Sequence, residues 1–127
     1  MSDLLYKEEC YHIQGAIYAV YREIGCGFLE AVYQGCLARE FQLASIPFTA
    51  QKELCLYYKG KLIEQTYRAD FVCYDKIILE LKASQDVASI HKAQILNYLK
   101  MTQLKLGLLI NFGHYPKVTI DRIVNSY

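Results

Sequence analysis

The strongest constraint on this chain lies between Arg68 and Lys82, where two apolar runs carry charges that do not belong in the interior of a sheet. The first run reads Arg68-Ala69-Asp70-Phe71-Val72-Cys73-Tyr74 and the second Ile77-Ile78-Leu79-Glu80-Leu81-Lys82, with only Asp75-Lys76 between them. Two β-prone runs joined by so short a polar break predict a hairpin. Alternation along the second strand puts Ile78, Glu80 and Lys82 on one face and Ile77, Leu79 and Leu81 on the other. Asp70, Glu80 and Lys82 are costly inside such strands unless they are paired or bind a cation.

Adjacent strands bring Asp70 and Glu80 close enough for one divalent ion to bridge. Carboxylate oxygens suit Mg²⁺ or Mn²⁺, which keep waters and accept a phosphate oxygen. Such an ion polarises a phosphodiester and lowers the pKa of a bound water. Lys82 is placed to orient the nucleophile or to steady developing negative charge. The competing reading is a cross-strand salt bridge in which Asp70 or Glu80 pairs with Lys82 or Arg68, and the Glu-Leu-Lys triplet by itself favours that reading.

Around this hairpin the periodicity predicts a single α/β domain in the order ααβββαββ. Residues 4–24 read as a helix with Leu5, Cys10, Ile13, Ile17, Val20 and Ile24 inward, stopped at Gly25. Residues 28–44 read as a second, with Leu29, Val32, Cys36, Leu37 and Phe41 inward, before Pro47. Strands are expected at 49–58, 62–74 and 77–83, the first two turned by Lys59-Gly60-Lys61. A third helix is expected at 87–101 with Ile90, Ala93, Leu96, Asn97 and Met101 on the core side, then strands at 106–112 and 118–124. The third helix can serve as a crossover that makes its flanking strands parallel, so the central sheet should be mixed, with helices flanking it. The run Leu108-Leu109-Ile110 predicts burial on both faces.

With 127 residues, the chain fits one domain, and 54% hydrophobic against 21% charged content excludes a disordered chain. No stretch is apolar for long enough to span a bilayer, and the first residues lack the basic start of a signal peptide, so a soluble cytoplasmic protein is expected. Five scattered cysteines, with no C-x-x-C pair, and three histidines without ligand spacing give no zinc site and no disulfide framework. The net charge of +1 does not mark a nucleic-acid binder, but its distribution is uneven. Residues 1–47 hold three Lys/Arg against six Asp/Glu, and residues 48–127 hold eleven against seven. The half with the acids and lysine of the hairpin is therefore the basic half, which suits a polyanion as well as it suits ordinary solvated lysines.

Two further patterns accompany the hairpin. In Gly27-Phe28-Leu29-Glu30-Ala31-Val32-Tyr33, Glu30 and Tyr33 stand three apart on a helix, with Glu30 in the first turn where the dipole favours an acid. In the third helix His91, Gln94 and Tyr98 share a face, read as lying apart from the core stripe. Together these residues resemble the GxxExxY protein family, which looks like a compact branch of the PD-(D/E)xK nuclease superfamily, from about residue 6 to Val124. Gly27, Glu30 and Tyr33 match the naming motif, Asp70, Glu80 and Lys82 the superfamily core, and Gln94 and Tyr98 a Q-x-x-x-Y element. The proline that usually precedes the first acid is Ala69 here.

The resemblance implies a restriction-endonuclease-like core and a metal-dependent nuclease; it supplies no substrate, and the expectation set beside it is phosphodiester hydrolysis in nucleic acid, DNA ahead of RNA. It implies Asp70, Glu80 and the main-chain carbonyl of Leu81 as ligands of Mg²⁺ or Mn²⁺, Lys82 as the catalytic lysine, and Glu30 as an additional catalytic acid, ligand or water-positioner. It implies Gln94 and Tyr98 against substrate, and Tyr33, Arg68 and His91 are expected as further substrate contacts. The alternative is an inactive, nuclease-like module that binds nucleic acid or protein, for which twelve tyrosines offer stacking surface. A homodimer through Tyr6, Tyr11, Tyr18 and Tyr21 of the first helix is a further expectation.

Overall fold

Helix α1 (Lys7–Ile24) buries Cys10, Ile13, Ala16, Ile17 and Val20, the one-sided stripe its sequence encodes. Gly25 ends it with φ 68°, and its N–H closes on the Tyr21 carbonyl. Helix α2 (Glu30–Leu43) buries Tyr33, Leu37 and Phe41. Leu29 and Val32, expected inward, are exposed; the buried stripe is set by Tyr33, whose ring stacks on Phe112 with centroids 4.4 Å apart. The computed structural model describes residues 4–126.

Five strands follow: β1 (Phe48–Tyr58), β2 (Lys61–Cys73), β3 (Ile77–Lys82), β4 (Leu106–Asn111) and β5 (Thr119–Val124), with helix α3 (Ser89–Thr102) between β3 and β4. They form one sheet in the order β1-β2-β3-β4-β5. The β3–β4 pair is parallel and the other three are antiparallel. That is the mixed sheet expected of hairpins leading into a helical crossover. The β1–β2 turn uses Lys59 and Gly60, both at positive φ, which matches the twist of a two-residue hairpin.

Helices α1 and α2 cover one face of the sheet and α3 the other. β4 lies between the two layers and is buried along its whole length. Gly107 of β4 allows α3 to seat closely: a Cβ there would lie 2.7 Å from the Ile95 methyl. The expected phase of α3 is wrong. Ile95 and Leu99 are its buried residues, whereas Ile90 is exposed, so the face with His91 and Tyr98 turns toward the sheet.

Strand β2 changes face at Asp70. Tyr67 and Ala69 pack under α3, yet Phe71 and Cys73 pack under α1 and α2, although all four have the same parity. Its neighbour β1 does likewise, with Phe48 in one layer and Leu54 and Leu56 in the other, across Gln51 at φ 53°. Such a break in alternation at paired positions bends both strands and re-aims the side chains beside it.

Candidate active site

The β2–β3 ladder runs through Cys73↔Ile77, Val72↔Ile78 and Phe71↔Leu79 and stops there. Beyond it β3 stays with β4 as far as Lys82↔Asn111, so β2 and β3 part at Asp70 and Glu80. The two carboxylates take over the missing rung. Glu80 Oε1 accepts the Asp70 N–H at 2.9 Å, and Asp70 Oδ2 accepts the Leu81 N–H at 2.8 Å. Each acid is thereby fixed by the other's strand, with Asp70 Oδ1 left facing only a long 3.4 Å contact from Gln51 Nε2.

Burial pushes the Glu80 carboxyl up to about 7, and the Asp70 charge adds to the rise. The Asp70 N–H and Lys82 oppose it. Among the described residues Lys82 takes no acid within 4 Å: the salt bridges there are Arg68–Glu53, Lys52–Asp75, Lys76–Glu9 and Lys92–Asp121. The cross-strand ion pair that competes with a metal site in the sequence is therefore not what occupies these residues. Two half-buried carboxylates with no cation at salt-bridge distance among the described residues, and only the longer-range charge of Lys82 acting on Glu80, are an electrostatically incomplete pair.

Beneath Glu80 and Lys82 lies a cavity of about 40 Å³ lined by Tyr67, His91, Gln94, Ile95 and Tyr98. The rings of Tyr67 and Tyr98 stack at 3.8 Å with 10° between planes, so Tyr98 forms a wall of the cavity. Tyr67 is 7% exposed, and burial together with the Glu80 charge raises its hydroxyl far above the usual phenol range. That hydroxyl lies beside Glu80 without a hydrogen bond of good geometry, and His91 Nδ1 is also buried without one. The cavity has room for one water or one phosphate oxygen.

The structure thus brings Asp70, Glu80, Leu81, Lys82, His91, Gln94 and Tyr98 together. Glu30 does not join them: it is exposed in the first turn of α2, and among the described residues no three Asp, Glu, His or Cys side chains gather in a metal-binding group. Tyr33 is a correction. It is fully buried, and its hydroxyl donates to the Gly25 carbonyl at 2.5 Å, so it ties the α1–α2 junction and presents nothing to substrate. Arg68 is exposed two residues before Asp70, with its guanidinium 3.5 Å from Glu53.

Sequence reasoning missed Tyr67, Gln34 and Gln51. Gln34 of α2 accepts from Gln51 Nε2 at 2.9 Å, and the same nitrogen reaches Asp70, so α2 meets the site through an amide relay rather than through an acid. Asn111 was missed as well. Only 1% exposed, it donates to the Ser84 carbonyl and accepts from the Ser84 and Gly113 N–H groups, pinning the chain just after Lys82. Nothing in the spacing of these residues marks them; their signal is the bend at Asp70 and the end of β4.

A donor set of two carboxylates beside a main-chain carbonyl fits Mg²⁺ or Mn²⁺, which take few protein ligands and retain waters. Comparison with known proteins shows the family and the fold. A family model described as PD-(D/E)XK nuclease superfamily matches residues 7–123. No curated protein matches the sequence. A solved structure described as "Crystal structure of SSO0001" is similar in fold, with a TM-score of 0.56 and 21% identity. The alignment covers 96% of this chain and 58% of that one, so this chain spans under two thirds of its relative's length.

Proposed function

The chain belongs to the PD-(D/E)XK nuclease superfamily, and on that premise we propose that it is a metal-dependent nuclease that hydrolyses phosphodiester bonds in nucleic acid, DNA in preference to RNA. The observation that carries the reading is the Asp70–Glu80 couple at the parting of β2 and β3, in no salt bridge among the described residues, with Lys82 beside it.

Asp70, Glu80 and the Leu81 carbonyl would hold Mg²⁺ or Mn²⁺, which when bound polarises the scissile phosphate and acidifies a water. Asp70 Oδ1 is the oxygen available for this, because Oδ2 is held by the Leu81 N–H. The same hydrogen bond fixes the Asp70 carboxylate against rotation, so the site is preorganised. The Lys82 ammonium, on the face of β3 that carries Glu80, stabilises the negative charge that builds on the phosphate as water adds. His91 and Gln94 line the cavity beneath and would hold a non-bridging oxygen of the same phosphate. Arg68 at the exposed rim meets the backbone further along the strand. Glu30, one helical turn before Gln34 on the same face of α2, positions water or substrate from the opposite side.

The test is cleavage of labelled single-stranded, duplex and junction DNA with Mg²⁺ or Mn²⁺, compared with chelator and with Asp70→Asn. Metal-dependent cleavage that Asp70→Asn lowers at least about a hundredfold, with the fold unchanged by circular dichroism, supports the reading. Full activity in chelator, or in Asp70→Asn, refutes it. Binding that persists without metal or cleavage identifies the non-catalytic module instead.

A further inference from the structure

Helix α1 carries a second exposed stripe on the side away from the sheet. Glu8, Tyr11, Gly15, Tyr18 and Arg22 recur at spacings of three and four and are all exposed, Tyr11 by 73% and Tyr18 by 47%. Two tyrosines with so much ring in water are not satisfied by the protein's own packing. Between them a shallow groove of about 380 Å³ lies on α1, lined by Gly15 and Ala16 and, on its other side, by Glu40 of α2 and Ala44 just past the end of that helix.

Gly15 costs a helix about 1 kcal/mol relative to alanine. Nothing among the described residues requires it, since a Cβ at that position would meet no atom of theirs within 4 Å. A glycine at an exposed mid-helix position lets a second backbone approach closely. The charges say which second backbone. Glu8 and Arg22 stand seven residues on either side of Gly15, about 10 Å along the axis in each direction. Neither forms a salt bridge with the described residues. A two-fold axis at Gly15 therefore sets Glu8 of one copy opposite Arg22 of the other, twice, and brings Tyr11 of each against Tyr18 of its mate.

We propose that α1 is a homodimer interface, two copies packing their α1 helices antiparallel about Gly15 with reciprocal Glu8–Arg22 pairs. Such an interface is isologous, as a closed dimer requires. One helix pair with flanking loops is near the small end of stable interfaces, so association in the micromolar range is expected. Tyr6 and Tyr21 take no part. Lys76 sits over the Tyr6 ring at 4.3 Å, and the Tyr21 hydroxyl donates to the His114 carbonyl at 2.6 Å. Because α1 and α3 lie on opposite faces of the sheet, the dimer leaves the cavity under Glu80 and Lys82 open, and it stands independently of any catalytic activity.

Charge reversal tests the pairing on the full chain by sedimentation velocity across the micromolar range. Wild type sediments as a dimer. Glu8→Arg and Arg22→Glu, each of which opposes like charges twice, weaken association at least about tenfold. The double reversal restores it. Glu8 and Arg22 also suit the dipole at the first and last turns of α1, so a purely helical role makes the double reversal the least stable of the set in thermal melts and gives it no recovered association. A monomeric wild type, a dimer indifferent to both single reversals, or a double reversal that stays dissociated each overturns the proposal.

Discussion

Glu80 is the residue whose energetics reveal most about the site. Its carboxyl titrates near 7 in the folded protein because it is buried beside Asp70, against an ordinary value of 4.5. A raised acid favours folding while protonated. Its contribution is fully present below pH 4.5 and is lost as pH rises through about 7. The metal-free protein should therefore melt lower at pH 8 than at pH 5, other groups apart, and Glu80→Gln should remove that difference. At pH 8 the metal-free variant should be more stable than wild type by on the order of 2–3 kcal/mol, while cleavage falls to background. Thermal melts in chelator at both pH values check this; equal destabilisation of the variant at both would mean that Glu80 is paired. Tyr67 makes a companion case. A buried hydroxyl without a well-formed hydrogen bond gains little from folding, so Tyr67→Phe should leave stability within about 1 kcal/mol of wild type. It should nevertheless slow cleavage several-fold, because the hydroxyl flanks Glu80 and lines the cavity beneath it. A loss of more than about 2 kcal/mol in urea melts would show that the hydroxyl is bonded after all.

At the scale of elements, strand β3 does two jobs. It closes the sheet against β4 along its whole length, and it leaves β2 after Leu79, opening the gap where Asp70 and Glu80 sit. The hairpin, the parallel crossover and the doubly buried β4 were legible because each follows from an apolar pattern with its own period. The acid pair was legible because charge inside such a pattern is conspicuous. The phase of α3 was not. Ile90, Ala93, Leu96 and Met101 form an apolar row, but what decides the contact is the notch at Gly107, into which Ile95 fits, and the stack of Tyr98 on Tyr67. Neither can be seen from the helix alone. Tyr33 misled for a similar reason: a motif residue resembles a site residue until its hydroxyl is found on the Gly25 carbonyl. Filling the notch is a direct test of α3 seating. Gly107→Ala forces the Ile95 methyl to move and should cost about 1–3 kcal/mol in denaturant melts. It should also raise the KM for DNA more than it lowers kcat, because α3 carries His91 and Gln94 while Asp70 and Glu80 stand on the strands.

On the metal-site reading, the stability of the whole molecule should depend on what fills the gap. Three helices and five strands place their two cores on opposite faces of the sheet, and the carboxylate pair lies where β1 and β2 bend from one layer to the other. No helix among the described residues is long and apolar enough to cross a membrane. A cation that binds Asp70 and Glu80 binds only the folded chain, since the two acids are ten residues apart in sequence and meet only across the parted strands. Mn²⁺ at a hundred times its dissociation constant should therefore stabilise the protein by about 2.7 kcal/mol, a rise in Tm of roughly 5–10 °C for a domain of this size. Protons compete for Glu80, so at fixed Mn²⁺ the rise should be larger at pH 8 than at pH 5. Asp70→Asn should abolish it at both, while Glu30→Gln should leave most of it intact, because Glu30 stands apart from the pair. A scan of Tm against Mn²⁺ for the three proteins measures all of this without any substrate. If Glu30→Gln removed the shift as completely as Asp70→Asn, α2 would have to swing its first turn onto the pair when the ion binds, and the gap seen here would be the open form of a three-acid site. If wild type showed no shift at millimolar Mn²⁺, the pair would be serving the fold alone, and the non-catalytic reading would follow.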